Sequence, residues 1–218
     1  MDATKTPIRV AIVDPFSFLR EALRLVLRRD PLVEIVGEAA DGFGAVALVE
    51  SGKADVMILE PLLPKKSGID IIKEADAGKP KTKILILTMD TTRHYAFRLL
   101  RAGAMGWIPK NAGSEEILKA LHLVREGKVY IPNELQAHFA ERYVHPKRLN
   151  QNEDRLSDRE FQVMRLLALG HSNREIAEML FVGMKTVDTH RANILRKLGL
   201  RNNSDLTRFA IRHGFVTA

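Results

Sequence analysis

The sequence predicts two domains, an α/β domain with a doubly wound, five-stranded parallel sheet and, after it, an all-α domain of four helices. Three observations predict this order. Short apolar runs alternate with amphipathic segments up to about residue 127, a polar stretch follows around residue 150, and beyond it apolar residues recur only at helical spacing. We therefore assign residues 1–127 to the α/β domain, 128–154 to a linker with a short helix near 134–143, and 155–218 to the helical domain.

Five short apolar runs are typical of buried parallel strands, at residues 8–13, 33–36, 56–59, 84–87 and 105–108. Five segments with 3.6-residue apolar spacing predict the helices, at residues 16–29, 44–50, 68–75, 92–102 and 114–125. In such a sheet the functional crevice lies at the carboxyl ends of the strands. Asp14, Glu60, Thr88 and Lys110 all fall at that edge.

The composition of the chain excludes several kinds of chemistry and indicates where the protein resides. The chain has no cysteine, which excludes disulfides, thiol nucleophiles and cysteine zinc sites, and its seven histidines show no metal-ligand spacing. We expect neither a metal nor a cofactor. The polar residues 1–7 lack the apolar segment of a secretory signal, and no run is long enough to span a membrane, which predicts a cytoplasmic protein. The net charge of +7 favours a polyanionic partner.

The helical domain carries clear start and stop signals. Two pairs match the capping box, in which each side chain bonds the other residue's backbone N–H: Ser157 with Glu160, and Ser172 with Glu175. Glycines follow the amphipathic runs, where a left-handed residue ends a helix: Gly170, Gly199 and Gly214. These signals delimit four helices.

The second and third of these helices form a helix-turn-helix. They span residues 172–180 and 184–198, and only Phe181, Val182 and Gly183 join them, which sets the two helices at a steep angle. One apolar stripe of the third helix packs inward, and its polar faces suit the major groove. The predicted DNA-binding residues on and beside this helix are Lys185, Thr186, Asp188, Thr189, His190, Arg191, Ala192, Asn193, Arg196, Lys197 and Arg201.

The motifs of this domain resemble a known family. Residues 156–160 (LSDRE), 172–177 (SNREIA) and 185–198 (KTVDTHRANILRKL) are similar to the LuxR-type output domain. With the α/β domain ahead of it, the whole chain resembles the NarL/FixJ class of response regulators, whose receiver has a flavodoxin/CheY-like fold. The resemblance implies a transcription regulator of two-component signal transduction that binds double-stranded DNA as a homodimer on paired half-sites.

Two residues of the helix-turn-helix depart from the family pattern. Asp188 stands where many relatives carry lysine. It either accepts a hydrogen bond from a cytosine N4 amine or stabilises the first helical turn through the helix dipole. Of these two roles we favour the one through the dipole. Gly183 stands where relatives usually have a serine cap, and glycine caps a helix nearly as well.

The resemblance also implies roles for residues of the α/β domain, and shows that its phosphoacceptor pocket is altered. Asp14 matches the first acid of the metal-binding pair, and Pro15 replaces the second. Glu60 occupies the phosphoacceptor position. Thr88 and Lys110 match the hydroxyl and the lysine that contact phosphoryl oxygens, and Trp107 matches the switch aromatic.

Glutamate is one methylene longer than aspartate, which makes Glu60 a poor nucleophile in this position. We hypothesise that Glu60 pairs with Lys110, and contacts Thr88, in a permanently fixed conformation. A degenerate receiver kept only for dimerisation is an equal alternative. Control would then come from dimerisation, from a small ligand at the strand ends, or from a regulatory protein.

The predicted function is therefore a sequence-specific, phosphorylation-independent transcription regulator. The alternative is a non-catalytic adaptor that binds another regulator and touches DNA weakly, which Asp188 and Ala192 on the DNA-facing row would favour. An enzyme is disfavoured because no glycine-rich phosphate loop follows the first strand, where residues 14–18 read DPFSF.

Overall fold

A computed structural model describes residues 6–78, 81–144 and 155–216. By their internal contacts these residues form two compact units, residues 6–91 with 99–132, and residues 92–98 with 133–216. The polar stretch 145–154, predicted to be an exposed linker, lies outside the described residues. Within the described ranges, no helix is long and apolar enough to cross a membrane.

The first unit contains the predicted five-stranded parallel sheet, with strand order β2-β1-β3-β4-β5. The strands are β1 (Ile8–Val13), β2 (Val33–Ala39), β3 (Val56–Leu59), β4 (Lys83–Thr88) and β5 (Gly106–Pro109). Strand β2 extends three residues beyond the predicted end, because its backbone pairs with β1 as far as Ala39 opposite Val13. It is only half-buried, not buried as predicted, since an edge strand can carry polar residues such as Glu34 and Glu38.

Amphipathic helices cover both faces of this sheet. They are α1 (Ser17–Leu27), α2 (Gly42–Glu50), α3 (Gly68–Ala77) and α5 (Ser114–Arg125). The intervening helix α4 (Arg93–Arg101) belongs to the second unit up to Arg98 and to the first unit from Leu99. Alternate residues of the central strands, such as Val10, Ile58 and Leu85, form one buried core with Leu27 of α1 and Leu121 of α5. Each fully buried aliphatic side chain of this kind stabilises the fold by about 1.5–3 kcal/mol, and this core fixes the strand ends from which the pocket is built.

The sheet continues past the boundary predicted at residue 127. Tyr130 lies beside β5, where its N–H donates to the Met105 carbonyl at 2.9 Å and its carbonyl accepts from Trp107 N–H at 3.0 Å. Gly106 of β5 leaves no room for a larger residue, because a Cβ at this position would lie 2.7 Å from the Leu85 side chain and 3.1 Å from that of Val124. Residues 128–132, predicted to begin the linker, therefore belong to the first unit.

The second unit contains the remaining helices, α6 (Asn133–Val144), α7 (Asp158–Ala168), α8 (Asn173–Leu180), α9 (Met184–Leu198) and α10 (Asn203–Arg212). Helix α6 agrees with the short helix predicted near 134–143, and α7 to α10 are the four predicted helices of the all-α domain. Both capping boxes are present, at Ser157 with Glu160 and at Ser172 with Glu175. Gly170, Gly199 and Gly214 have positive φ, as helix-ending glycines do.

The turn between α8 and α9 is made without a helix-ending glycine. Phe181 adopts the left-handed conformation, with φ of 52° and ψ of 50°, and Gly183 is the N-cap of α9. A non-glycine residue in this region costs about 1–2 kcal/mol. Packing of α9 on α7 and α8 through the buried side chains of Val187 and Ile194 offsets this cost.

Candidate functional site

The carboxyl ends of four strands bring together the residues of the predicted pocket. Asp14 follows β1, Glu60 follows β3, Thr88 ends β4 and Lys110 follows β5. The backbone holds these ends in register, because Glu60 N–H donates to Val13 O at 2.9 Å and Lys110 N–H donates to Thr88 O at 2.8 Å. The sequence prediction that these four side chains meet at one edge of the sheet is confirmed.

The ammonium of Lys110 lies between the two carboxylates. Its Nζ is 2.5 Å from Asp14 Oδ2 and 2.9 Å from Glu60 Oε2, and the side-chain exposures are 5% for Lys110, 2% for Asp14 and 6% for Glu60. Ions removed from water to this extent need close partners of opposite charge. The three side chains therefore stabilise one another as a buried triad.

The other carboxylate oxygens are also bound. Glu60 Oε1 accepts from Leu62 N–H at 2.9 Å and from the Thr88 hydroxyl at 3.1 Å, and Asp14 Oδ1 accepts from Phe16 N–H at 2.9 Å. Burial raises the pKa of the Glu60 carboxyl, and the hydrogen bonds from Lys110, Leu62 and Thr88 offset this only in part. The folded protein therefore binds the Glu60 proton more tightly than an ordinary exposed glutamate does.

The pocket does not fit a Mg²⁺ ion. Mg²⁺ prefers oxygen ligands in octahedral geometry, yet Pro15 supplies no side-chain ligand and Lys110 occupies one oxygen of each acid. Across the described residues, no group of three or more histidine, aspartate or glutamate side chains is arranged to hold a metal.

Trp107 lies inside the protein, with 3% of its surface exposed. Its neighbour Ile108 belongs to the core under α1 and α5, so the indole occupies the opposite face of the sheet. Its Nε1 has no hydrogen-bond partner among the described residues. Packing alone therefore holds this ring in the inward position.

Two further groups, which the sequence did not predict, complete the pocket. Arg20 NH1 donates to the Asp14 carbonyl at 2.7 Å, and Arg20 Nε lies 3.4 Å from Glu38 of β2. The Leu62 backbone N–H is the second group. Neither carries a sequence signal, since a backbone donor is present at almost every residue and Arg20 is one of two arginines on α1.

The recognition helix α9 exposes a continuous polar row on its surface. The exposed residues among those predicted to bind DNA are Lys185, Thr186, Asp188, Thr189, Ala192, Arg196 and Arg201. The half-buried residues are His190, Arg191, Asn193 and Lys197. The polar faces of the helix, predicted to suit the major groove, are thus not all equally exposed, because α9 packs on α7.

Several of these side chains already have partners within the domain. Lys197 Nζ lies 2.6 Å from the buried carboxylate of Glu160 on α7, and Arg191 Nε donates to Asn203 at 2.6 Å. Arg201 lies 3.1 Å from Asp205. Lys197 is thus a helix-packing residue in this structure, and its contact with DNA stays a prediction.

His190 is uncharged at neutral pH. Burial lowers the pKa of the His190 imidazole, and the nearby cations Arg159 and Lys197 lower it further. The ring therefore offers DNA a neutral hydrogen-bonding group and adds no positive charge.

Asp188 has a partner that the sequence did not reveal. Asn173, the first residue of α8, donates from Nδ2 to Asp188 Oδ1 at 2.6 Å. The first turn of α9 contains no acidic residue, and Asp188 is the fifth residue of the helix. The dipole effect falls off beyond the first turn. The structure therefore does not support stabilisation through the helix dipole, the role that the sequence favoured for Asp188.

Comparison with known proteins gives the family. Residues 10–122 match the response regulator receiver domain, and residues 154–210 match the luxR family of bacterial regulatory proteins. The chain is 35% identical over 215 residues to the oxygen regulatory protein NreC of Staphylococcus aureus (strain JH9), covering 94% of this chain and 97% of that protein.

Solved structures agree with this result. RcsB from Salmonella enterica serovar Typhimurium, bound to promoter rprA in the presence of the phosphomimetic BeF3⁻, is 25% identical with a TM-score of 0.68, over 94% of this chain and 98% of that chain. A structure of two RcsB dimers bound to two parallel DNAs is 25% identical with a TM-score of 0.59, with the same coverage.

The protein is therefore a two-component response regulator that combines a receiver domain with a LuxR-type DNA-binding domain. Within that class it is homologous to regulators of the NarL and NreC type, which makes it a transcription regulator and not an enzyme, as the sequence predicted.

Replacing Lys110 by alanine is expected to destabilise the first unit by about 3–5 kcal/mol, because two buried carboxylates lose their cation. Urea unfolding followed by the fluorescence of Trp107, the single tryptophan, reports on this unit. Lys128→Ala, which removes an exposed ion pair with Glu126, is the matched control and should leave the urea midpoint nearly unchanged. A loss for Lys110→Ala no larger than that of the control would contradict the triad.

The stability of the first unit should also depend on the ionisation of Glu60. The pKa of the Glu60 carboxyl is near 4.5 in the unfolded chain and is raised on folding. In the pH window between these two pKa values, the folded state keeps the carboxyl proton that the unfolded chain has released. Its contribution therefore falls as pH rises through that window. The free energy of unfolding of Glu60→Gln, measured relative to the wild type, should increase from about pH 4.5 upward.

Glu126→Gln serves as the comparison in that experiment. A hydrogen bond from Lys128 lowers the pKa of Glu126, so the corresponding difference should have the opposite slope. A flat profile for Glu60→Gln would show that the carboxyl titrates equally in both states.

Proposed function

We propose that this response regulator binds specific double-stranded DNA sequences as a homodimer and regulates transcription without receiving a phosphoryl group. The observation that carries the proposal is the buried triad, in which Lys110 bridges Asp14 and Glu60 at 2.5 and 2.9 Å. A group that would contact an incoming phosphoryl oxygen is already neutralised by the protein's own carboxylates.

The chemistry of phosphoryl transfer supports this view. Transfer to a carboxylate needs an accessible oxygen in line with the leaving group and a metal ion that neutralises the developing charge. Glu60 is 5% exposed, and both of its oxygens accept hydrogen bonds. With Pro15 in place of a second acid, the site also lacks a ligand for the metal.

The contacts of Glu60 further suggest that the receiver holds one fixed conformation. Its carboxylate receives a hydrogen bond from Thr88 and lies against Lys110, the two groups expected to contact phosphoryl oxygens in a phosphorylated receiver. We infer that Glu60 substitutes internally for the phosphoryl group, and that a small ligand or a regulatory protein supplies any further input.

Solved structures of similar proteins support the DNA-binding part of the proposal. RcsB has been solved bound to a promoter and as dimers on DNA. In this chain the recognition helix would enter the major groove with its exposed row, which includes Lys185, Asp188 and Thr189. Arg196 and Arg201, also exposed, would contact phosphates.

Selection of bound sequences from a random DNA library by the purified full-length protein tests the proposal. Without any phosphodonor, we expect enrichment of an inverted repeat that survives competitor DNA, because the conformation needs no phosphate. Adding acetyl phosphate and Mg²⁺ should leave the enriched sequence and the affinity unchanged. Absence of enrichment under both conditions would favour the adaptor, whose weak binding would show only a steep loss with salt.

Thr88→Val separates a fixed active conformation from a passive receiver in the same assay. The variant keeps the side-chain size but removes the hydroxyl that bonds Glu60. Affinity for the selected sequence should fall by about five- to tenfold if this contact, worth about 1 kcal/mol, holds the conformation that binds DNA. An unchanged affinity would assign the receiver to dimerisation alone.

The chemical part of the proposal predicts no phosphorylation. After incubation with acetyl phosphate and Mg²⁺, the intact mass of the wild type should not increase. A double variant, Pro15→Asp with Glu60→Asp, restores the metal-binding acids and the shorter acceptor, and should gain a phosphoryl group. A stable phosphate on Glu60 or Asp14 of the wild type would overturn phosphorylation independence.

A further inference from the structure

The carboxylate of Asp188 lies on the exposed row of the recognition helix, one turn beyond the helix start. Helix α9 begins at Met184, and the residues of this row, Lys185, Asp188, Thr189 and Ala192, are all exposed. An exposed aspartate here would normally oppose DNA binding, because it faces a polyanion. General electrostatic attraction to DNA therefore does not explain an aspartate at position 188.

Asn173 holds this carboxylate from the neighbouring helix. Its Nδ2 donates to Asp188 Oδ1 at 2.6 Å, across the angle between α8 and α9. The amide is neutral, so this hydrogen bond places no positive charge beside the carboxylate. Ionised aspartate can only accept hydrogen bonds, and within the described residues Asn173 bonds Oδ1 while Oδ2 has no hydrogen-bond partner. One oxygen is thus fixed and the other remains available to a ligand.

The four bases differ in how they would meet this oxygen in the major groove. Cytosine presents the N4 amine donor, whereas guanine presents two acceptors and thymine presents the O4 acceptor and a methyl group. Adenine presents a donor at N6, but its N7 acceptor lies beside it and repels a carboxylate. An oriented carboxylate in this groove therefore discriminates in favour of cytosine.

We propose that Asp188 recognises a cytosine through its N4 amine at one position of each half-site, and that Asn173 is the positioning residue for this contact. This inference rests on the proposed sequence-specific DNA binding. Ala192, one turn further along the same row, has no polar group that could compete for the base. The charge of Asp188 then lowers overall affinity but increases the difference between right and wrong sequences.

Selection from a random library with single variants tests this assignment. For the wild type we expect cytosine at one position of each half-site, preferred by at least about fivefold. Asp188→Asn should change that single preference from cytosine to adenine, because an asparagine amide pairs with adenine N6 and N7. Asp188→Ala should lose the preference at that position and bind all sequences more tightly.

Two further variants complete the design. Asn173→Ala should weaken the cytosine preference while keeping the rest of the selected sequence, which a purely structural role would not do. Glu178→Gln on α8 removes the same charge from an exposed residue of the same domain, and should leave every position unchanged.

The outcomes separate this inference from the proposed function. A wild type that enriches no sequence contradicts both. A wild type with a clear motif that Asp188→Asn and Asp188→Ala leave unaltered contradicts the role of Asp188 alone. A cytosine preference that persists in Asp188→Ala would likewise assign that base to another side chain.

Discussion

The receiver unit is organised around one buried ammonium. Lys110 connects the chain after β5 to Asp14 after β1 and Glu60 after β3, and little of the three side chains reaches solvent. Removing such charges from water is costly, and only close pairing together with the additional hydrogen bonds from Leu62, Phe16 and Thr88 makes the arrangement stable. The same contacts that stabilise the strand ends involve Lys110 and Thr88, the two groups that the resemblance to receiver domains associates with phosphoryl oxygens.

In the DNA-binding domain, one buried carboxylate likewise makes two structural contacts. Glu160 accepts from the Ser157 backbone N–H at 2.8 Å within the capping box of α7, and the same Oε2 lies 2.6 Å from Lys197 near the end of α9. Burial would raise the pKa of Glu160, but the hydrogen bonds from Lys197 and Ser157 bring it below its usual value, so the carboxylate is charged at neutral pH. One side chain therefore both begins a supporting helix and orients the recognition helix.

Much of the fold could be predicted because its signals are local. Apolar runs such as residues 56–59 and the serine-glutamate pairs of α7 and α8 determine their own elements. The four pocket residues also followed from the rule that parallel strands end at one edge. Contacts between distant elements were not predictable, including the bond between Asn173 and Asp188 and that between Arg20 and the Asp14 carbonyl. The left-handed conformation of Phe181 was not predictable either, because tertiary packing overrides the weak local preference of a non-glycine residue against this conformation.

The pairing of Tyr130 with β5 also affects how copies of this protein can associate. An uncovered edge strand offers free N–H and C=O groups to any extended chain, and proteins avoid this hazard by covering the edge. Tyr130 hydrogen-bonds to the backbone of Met105 and Trp107 at the outer side of β5, where another chain would otherwise begin to pair. At this point of β5, a second chain could therefore add to the sheet by backbone pairing only after displacing Tyr130.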